Sequence, residues 1–421
     1  MQQKKNAWGW VPTLYFTEGL PYFAVTVISV ILYKRMGVDN SDIALYTSWL
    51  YLPWVIKPFW SPIVEMLFTR RAWIVTAQLF MGALLAAIAF TIPVDGFFQW
   101  SLALFWLIAF SSATHDIAAD GFYMLGLSGE QQSFFSGIRS IFYRIATIFG
   151  QGILIIIAGK LEKHTGSIAT AWSITFAITA AITILLGGYH SVALPRPASD
   201  VSRNLGSVKE AVCSFKDILV TYFQKPGIVP ALLFMLLFRL PEAQLVKMLN
   251  PFLLDSRSAG GLALTTEQIG VTYGTIGVIG LIIGGLAGGI AISRKGLKYW
   301  LWPMVAAISL PDLVYVYLSY AQPGSIAVVN SCIFVEQMGY GFGFTAYMLY
   351  LIYFAQGKYP TAHYAISTAF MALGMMLPGM VSGHIQEIIG YKLFFVWVMV
   401  CCIATFAVSA ALKISPDFGK K

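Results

Sequence analysis

The stretch LIAFSSATHDIAADGFYML, residues 107–125, holds a histidine and two aspartates inside an apolar run long enough to cross a bilayer. A span needs roughly 20 mostly apolar residues, and a charge at its centre costs about 2.5 to 3.5 kcal/mol on insertion scales. His115, Asp116 and Asp120 are tolerable there only if they meet partners or water. Comparable apolar runs recur from end to end, and the 421-residue chain is 58% apolar and only 11% charged. A soluble domain carries about 25% charged residues. The reading is an all-α polytopic membrane protein.

Twelve spans are expected, starting near residues 8, 41, 72, 98, 131, 168, 227, 267, 299, 324, 361 and 391. The first follows Lys4 and Lys5 but carries Glu18 and is too long for a signal-peptide core, so it should stay uncleaved. With both termini cytoplasmic, inside segments hold sixteen Lys and Arg residues, among them Arg70, Arg71, Arg196, Arg203, Lys209, Lys216, Arg294, Lys295, Lys358 and Lys421. Outside loops hold six: Lys34, Arg35, Lys160, Lys163, Arg257 and Lys392. That asymmetry sets the orientation and accounts for the net charge of +8 without nucleic acid as a partner. Four cysteines in or near apolar helices form neither a disulfide framework nor a metal cluster.

The longest polar connection lies midway along the chain. Within it Val208, Ala211, Val212, Phe215, Ile218, Leu219 and Tyr222 repeat at helical spacing opposite Lys209, Glu210, Lys216 and Asp217, which describes an amphipathic helix on the cytoplasmic face. It divides the chain into a six-helix bundle over 1–190, a linker over 191–226 and a second six-helix bundle over 227–421. The halves echo one another: a shift of 224 carries Arg70 and Arg71 to Arg294 and Lys295, Ser41 and Asp42 to Thr265 and Thr266, and Gly150 to Gly374. Two parallel repeats of six spans form the layout of the major facilitator superfamily, with a central cavity expected between them.

Five basic residues fall within spans, Lys57, Arg139, Arg144, Arg239 and Lys247, against Glu18, Asp116, Asp120, Glu242 and Glu336. The fourth and fifth spans run antiparallel, so residues at equal depth have numbers with a near-constant sum. Asp120 then faces Arg139 and Asp116 faces Arg144. Asp116 and Asp120 share a helix face, whereas Arg139 and Arg144, five apart, diverge by roughly 140°, so one pair is expected to be direct. These four are the ion-pair and proton-coupling candidates. His115 lies about 100° from the acidic face and is either a packing residue or a substrate contact.

YFTEGLPYF in the first span and LLFRLPEAQLVKML in the seventh each place a proline and charges near mid-membrane. Proline removes a ladder hydrogen bond, and interrupted helices at repeat-equivalent positions point to a midplane binding site. Glu18, Arg239, Glu242 and Gln244 are the substrate candidates on that ground. Lys57, among the aromatic residues of YLPWVIKPFWSPIVEML, either meets substrate or snorkels to the interface. Glu336 and Gln337, in FVEQMGYGFGFTAYMLYLIYF, suit hydroxyl and amide groups. Gly280, Gly284 and Gly288 in the eighth span read as close helix packing.

SSATHDIAADG, with Ala113, Thr114, Asp116, Ile117 and Asp120, resembles a motif of the AmpG-like permeases, as do EGLPY, KPFWSPIVEMLFTRR and GYKLFF. His115 stands where that family usually has glutamine, and Glu65 where it has aspartate. The resemblance implies an inner-membrane permease that imports peptidoglycan-derived muropeptides, N-acetylglucosaminyl-anhydro-N-acetylmuramic acid with or without peptide, coupled to protons. Acetyl-CoA or a free amino sugar are the alternative cargoes, and a ligand sensor the alternative role. An enzyme is not expected, because the five histidines are scattered singly and the short loops leave no room for a catalytic domain. Neither cofactor nor metal is expected; a monomer is.

Overall fold

The computed structural model describes residues 6–198, 200 and 208–420, without the side chains of 62, 63, 65, 66, 129, 133 and 208–214. Lys4, Lys5, Arg203, Lys421 and the side chains of Glu65, Val208, Lys209, Glu210, Ala211 and Val212 therefore lie outside the described residues. Every regular element among the described residues is helical.

The spans follow the hydropathy reading. The first is Ala7–Arg35 and the second is Asn40–Trp49 followed by Leu52–Leu67. Then come Arg70–Thr91, Phe97–Gly126, Glu130–Thr165 and Ile168–Ala193. After a linker helix, Val208–Phe223, follow Ile228–Leu254, Thr266–Lys295, Leu297–Ala321 and Ile326–Ala355. The last helix, Pro360–Ala410, breaks at Gly390 (φ 72°, ψ 166°), a backbone that favours glycine, and so supplies the eleventh and twelfth spans.

Side-chain caps set several starts. Thr69 accepts from the Ala72 amide, Ser128 and Gln131 form a capping box, and Thr265 and Gln268 form another. Asp200 reaches the start of the third span, where its carboxylate accepts from the amides of Arg70 at 2.8 Å and Arg71 at 3.1 Å. An anion is favoured at that end of a helix.

The first and seventh spans, each with a proline beside charged residues, are both interrupted. In the first, Pro21 lies near the end of regular helix and a π-helical turn, Ala24–Ile28, follows it. In the seventh, helix stops at Leu237, Arg239 leaves helical geometry (φ −99°, ψ 16°), and helix resumes at Leu240. Pro241 then sits in a first turn, where its missing amide breaks no ladder bond.

The chain forms two compact units. One consists of Met1–Met36 and Ile56–Val208, the other of Gly37–Val55 and Lys209–Lys421. In the second unit the tenth span is held between neighbours by glycines. A Cβ on Gly284 would lie 1.9 Å from the Met338 carbonyl oxygen, one on Gly341 2.2 Å from that of Leu281, and one on Gly339 2.3 Å from that of Ala307. Gly339 and Gly343 face the ninth span while Gly341 faces the eighth. With lipid as apolar as any side chain, backbone contact of this kind is what binds helices together.

Asn40–Trp49 also packs within the second unit. A Cβ on Gly383 would lie 2.1 Å from the Asn40 carbonyl oxygen, and Glu387 accepts from the Ser41 amide at 2.9 Å. The Asn40 amide donates to Gln386 at 2.6 Å and to the Tyr391 hydroxyl at 2.9 Å, while Tyr391 donates to Asp255 at 2.6 Å.

The linker helix is docked on the same unit. Tyr222 is fully buried and shares a hydrogen bond with Ser367 at 3.0 Å, and Thr221 shares one with His363 at 3.2 Å. At its exposed edge Asp217 accepts from the Tyr359 hydroxyl at 2.6 Å and from Lys358 at 3.0 Å. These two donors hold the Asp217 carboxyl below the usual carboxylate range.

Gly284→Ala should lower the unfolding midpoint of the purified chain by the equivalent of about 1 to 3 kcal/mol, because two backbones must separate. Gly289→Ala in the same helix meets nothing within 4 Å and should be neutral or stabilising by about 0.5 to 1 kcal/mol. A depressed carboxyl pKa stabilises above its unfolded value, about 3.9, and that contribution is lost as pH falls through the folded value. Hydrogen exchange at residues 216–223, compared at each pH between about 5 and 8, should therefore be faster in Asp217→Asn than in the unaltered chain.

Candidate functional site

Each unit contains a polar group among its helices, half-buried in the first and buried in the second, and each group includes one of the interrupted helices. In the first unit Gly19 allows the first and fifth spans to touch, since a Cβ there would lie 2.9 Å from that of Ala146. This brings Tyr15 to Arg139. The Arg139 guanidinium lies 4.7 Å from the Tyr15 ring centroid and 5.3 Å from that of Tyr123, donates to the Tyr15 hydroxyl at 3.2 Å, and pairs with Asp120 at 3.2 Å. Tyr15 closes the triangle with a long bond of 3.5 Å to Asp120. One turn back on the fourth span, Asp116 pairs with Lys57 of the second.

Of the two pairs expected between the fourth and fifth spans, Asp120 with Arg139 forms. Asp116 with Arg144 does not: the two aspartates share a face, Arg139 and Arg144 diverge around theirs, and Lys57 reaches Asp116 instead. Arg144 makes no ion pair among the described residues. Glu18, on the Tyr15 side of the first span, has a buried carboxylate oxygen with no hydrogen-bond partner among them. The paired side chains keep 23 to 46% of their surface accessible, so the helices of the unit do not fully enclose these charges.

His115 belongs to a different structure. It is 1% exposed and shares a hydrogen bond with the Gln78 amide at 2.9 Å; Gln78 Oε1 accepts from His190 Nδ1 at 2.8 Å, and His190 Nε2 meets the Thr13 hydroxyl at 2.9 Å. With the Gln78 amide donating to His115 Nε2, the network assigns the His115 proton to Nδ1. This chain ties the first, third, fourth and sixth spans together behind the acidic face.

In the second unit Glu242, Asp312 and Glu336 from the seventh, ninth and tenth spans bring carboxylate oxygens within 4.8 Å of one another, all three residues buried. Tyr315 donates to Glu336 at 2.6 Å and Gln337 donates to it at 3.0 Å. Arg239 donates to the Tyr340 hydroxyl at 2.6 Å, and its guanidinium lies 4.8 Å from the centroid of Phe344. Gln244 is turned toward the twelfth span, where it accepts from Trp397 at 2.8 Å and donates to the Cys401 sulfur at 3.4 Å. Lys247 donates to Thr47 at 2.9 Å and lies 5.0 Å from the Tyr51 ring centroid.

Sequence reasoning missed Asp312, Tyr315, Gln78 and His190. The signal for Asp312 was present in ISLPDLVYV, an aspartate after a proline in the middle of the ninth span. Glu18 and Glu242 are 224 residues apart, the spacing of Arg70 and Arg294, so the two interrupted helices carry their carboxylates at equivalent positions.

Gln78→Leu should cost about 2 kcal/mol or more of unfolding free energy in detergent, because it removes one hydrogen bond from each of two buried imidazoles at once. Tyr15→Phe should cost about 1 kcal/mol, since Arg139 keeps both Asp120 and the rings.

Residues 13–383 match the sequence profile described as Major Facilitator Superfamily. A Rickettsia conorii protein designated AmpG 4 is 26% identical over 408 residues, covering 93% of this chain and 92% of its own. The anhydromuropeptide permease of Escherichia coli K12 is 24% identical over 392 residues, 91% of this chain and 75% of its own. A crystal structure of a D-xylose-proton symporter superposes with a TM-score of 0.74 at 12% identity, covering 97% of this chain and 98% of that one. A crystal structure of the nucleoside transporter NupG superposes with a TM-score of 0.65 at 15% identity, covering 96% and 98%. With twelve spans in two six-helix halves and a profile match over most of its length, the chain belongs to the Major Facilitator Superfamily and is a multi-pass membrane transporter of that fold.

Proposed function

We propose that this transporter imports peptidoglycan-derived amino sugars, N-acetylglucosaminyl-anhydro-N-acetylmuramic acid with or without peptide, across the inner membrane by alternating access driven by protons. The observation that carries the reading is the extended similarity to the E. coli anhydromuropeptide permease, over 91% of this chain. The same similarity supports an inner-membrane location, and the distribution of Lys and Arg supports cytoplasmic termini.

The polar group of the first unit suits such a cargo. Muramic acid and peptide carry carboxylates, and an arginine presents a planar fork of donors to a carboxylate. Arg144 takes that role in preference to Lys57 and Arg239, because Lys57 is paired with Asp116 and Arg239 is directed at Tyr340 and Phe344. Glu18, whose buried oxygen lacks a described donor, is the proton carrier of this unit: an approaching cation or a change in solvent access alters the balance between its charged and neutral forms. Lys57 with Asp116 and Asp120 with Arg139 act as exchangeable pairs that keep the path neutral as the bundle rearranges.

Acetyl-CoA is disfavoured as cargo. Its phosphates call for an excess of basic groups, yet Asp312 joins five other carboxylates in the spans against five cations.

The test is uptake of labelled anhydro-muropeptide into cells or proteoliposomes, with N-acetylmuramic acid and N-acetylglucosamine as competitors. Uptake should be abolished by collapsing the proton gradient and reduced at least about tenfold by Arg144→Gln, the equivalent of one charge-assisted hydrogen bond. Glu18→Gln should still bind substrate and exchange it across the membrane while failing to concentrate it. Uptake indifferent to the gradient rejects proton coupling, and uptake of acetyl-CoA in place of the sugar rejects the cargo.

A further inference from the structure

The carboxylates of Glu242, Asp312 and Glu336 come from three different spans and converge within 4.8 Å inside the second unit. Hard cations take carboxylate oxygens at about 2.3 to 2.6 Å, so oxygens on opposite sides of one ion stand about 4.6 to 5.2 Å apart. The trio's oxygens, all within 4.8 Å of one another, are close enough to share one such ion. It also has a charge problem: three carboxylates so close in a buried setting repel strongly unless something neutralises them.

The surroundings answer only part of that. Tyr315 and Gln337 both donate to Glu336 and fix its carboxylate in place. Arg239, one turn before Glu242, donates to Tyr340 and stacks over Phe344, and its positive charge acts on Glu242 but on neither Asp312 nor Glu336 to a comparable degree. Glu242 itself is 4% exposed, and its Oε2 accepts no hydrogen bond from any described residue. Asp312 is positioned by a short 3₁₀ turn, Leu310–Asp312, whose Pro311 stiffens the backbone just before it. A buried acceptor without a donor, converging with two further carboxylates on rigid supports, is an arrangement that a cation completes and a further hydrogen-bond donor in the protein does not.

We propose that Glu242, Asp312 and Glu336 form a binding site for one hard inorganic cation, each span contributing a carboxylate oxygen. The ion ties the seventh, ninth and tenth spans together and neutralises the cluster. Its occupancy therefore sets how tightly these three helices pack. The proposal does not rest on the identity of the cargo.

The test uses the purified full chain in detergent without transported solute, in sodium chloride, calcium chloride, or N-methylglucamine chloride at matched ionic strength. Sodium or calcium should raise the thermal midpoint by several degrees over N-methylglucamine, as a ligand that binds only the folded state does. Asp312→Asn should remove that difference, and Asp417→Asn in the exposed C-terminal segment should keep it. A response to sodium alone assigns a monovalent ion and to calcium alone a divalent one. Equilibrium dialysis of wild-type protein with radioactive sodium and calcium gives a second reading that needs no variant, with about one saturable ion per chain expected. No cation-specific shift, an unchanged shift in Asp312→Asn, or no saturable binding overturns the proposal. Because the readout is cation binding, its failure leaves the cargo assignment standing, and failed muropeptide uptake leaves the cation site standing.

Discussion

The energetics of this protein turn on neutralising ionic groups inside an apolar bundle. Hydrocarbon offers no solvation, so each buried charge must find an opposite charge, a hydrogen-bond donor or water. In the first unit Lys57 meets Asp116, and Arg139 meets Asp120 with Tyr15 and Tyr123 around it. The helices that bring these residues together are fixed by that need as much as by packing. A pair of this kind adds little net stability over an apolar pair of the same size, but breaking it strands a charge. That asymmetry suits a transporter, in which partners can be exchanged as long as none is left alone.

Two further constraints act around the ionic groups. Glycines at 284, 339, 341 and 343 let the tenth span lie against its neighbours at backbone distance, which holds Glu336 and Gln337 at a fixed position. The interrupted first and seventh spans do the opposite, loosening the backbone beside Glu18 and Glu242. In the second unit a rigidly packed helix and a locally broken one thus meet at Glu336 and Glu242. The chain His115, Gln78, His190 and Thr13 stiffens the first unit from behind, where no charge is involved.

Much of this could be read from the residues. Apolar run length gave the spans to within a few residues, because membrane thickness imposes a length on every helix. Equal-depth pairing of antiparallel neighbours gave Asp120 with Arg139, and four-residue glycine spacing gave the packing of the eighth span. Contacts between spans distant in sequence were not legible. Lys57 with Asp116 depends on how the second and fourth spans turn, and the partners of Gln78 come from two other helices. Gln244 shares the apparent face of a binding helix, yet Trp397 claims it. Asp312 was overlooked because one charge in a strongly apolar run hardly alters its hydropathy. Asn40–Trp49 packs with Gly383 and Glu387 through backbone atoms, which leave almost no trace in side-chain pattern.

The most direct measurement is a double-mutant cycle on Lys57 and Asp116, comparing Lys57→Met, Asp116→Asn and the double substitution by unfolding free energy in detergent. If mutual neutralisation governs the bundle, each single change costs on the order of 2 kcal/mol and the double change costs less than their sum by about 1 kcal/mol or more. Costs that add to within about 0.5 kcal/mol would mean that the two charges are tolerated independently, and would contradict the account.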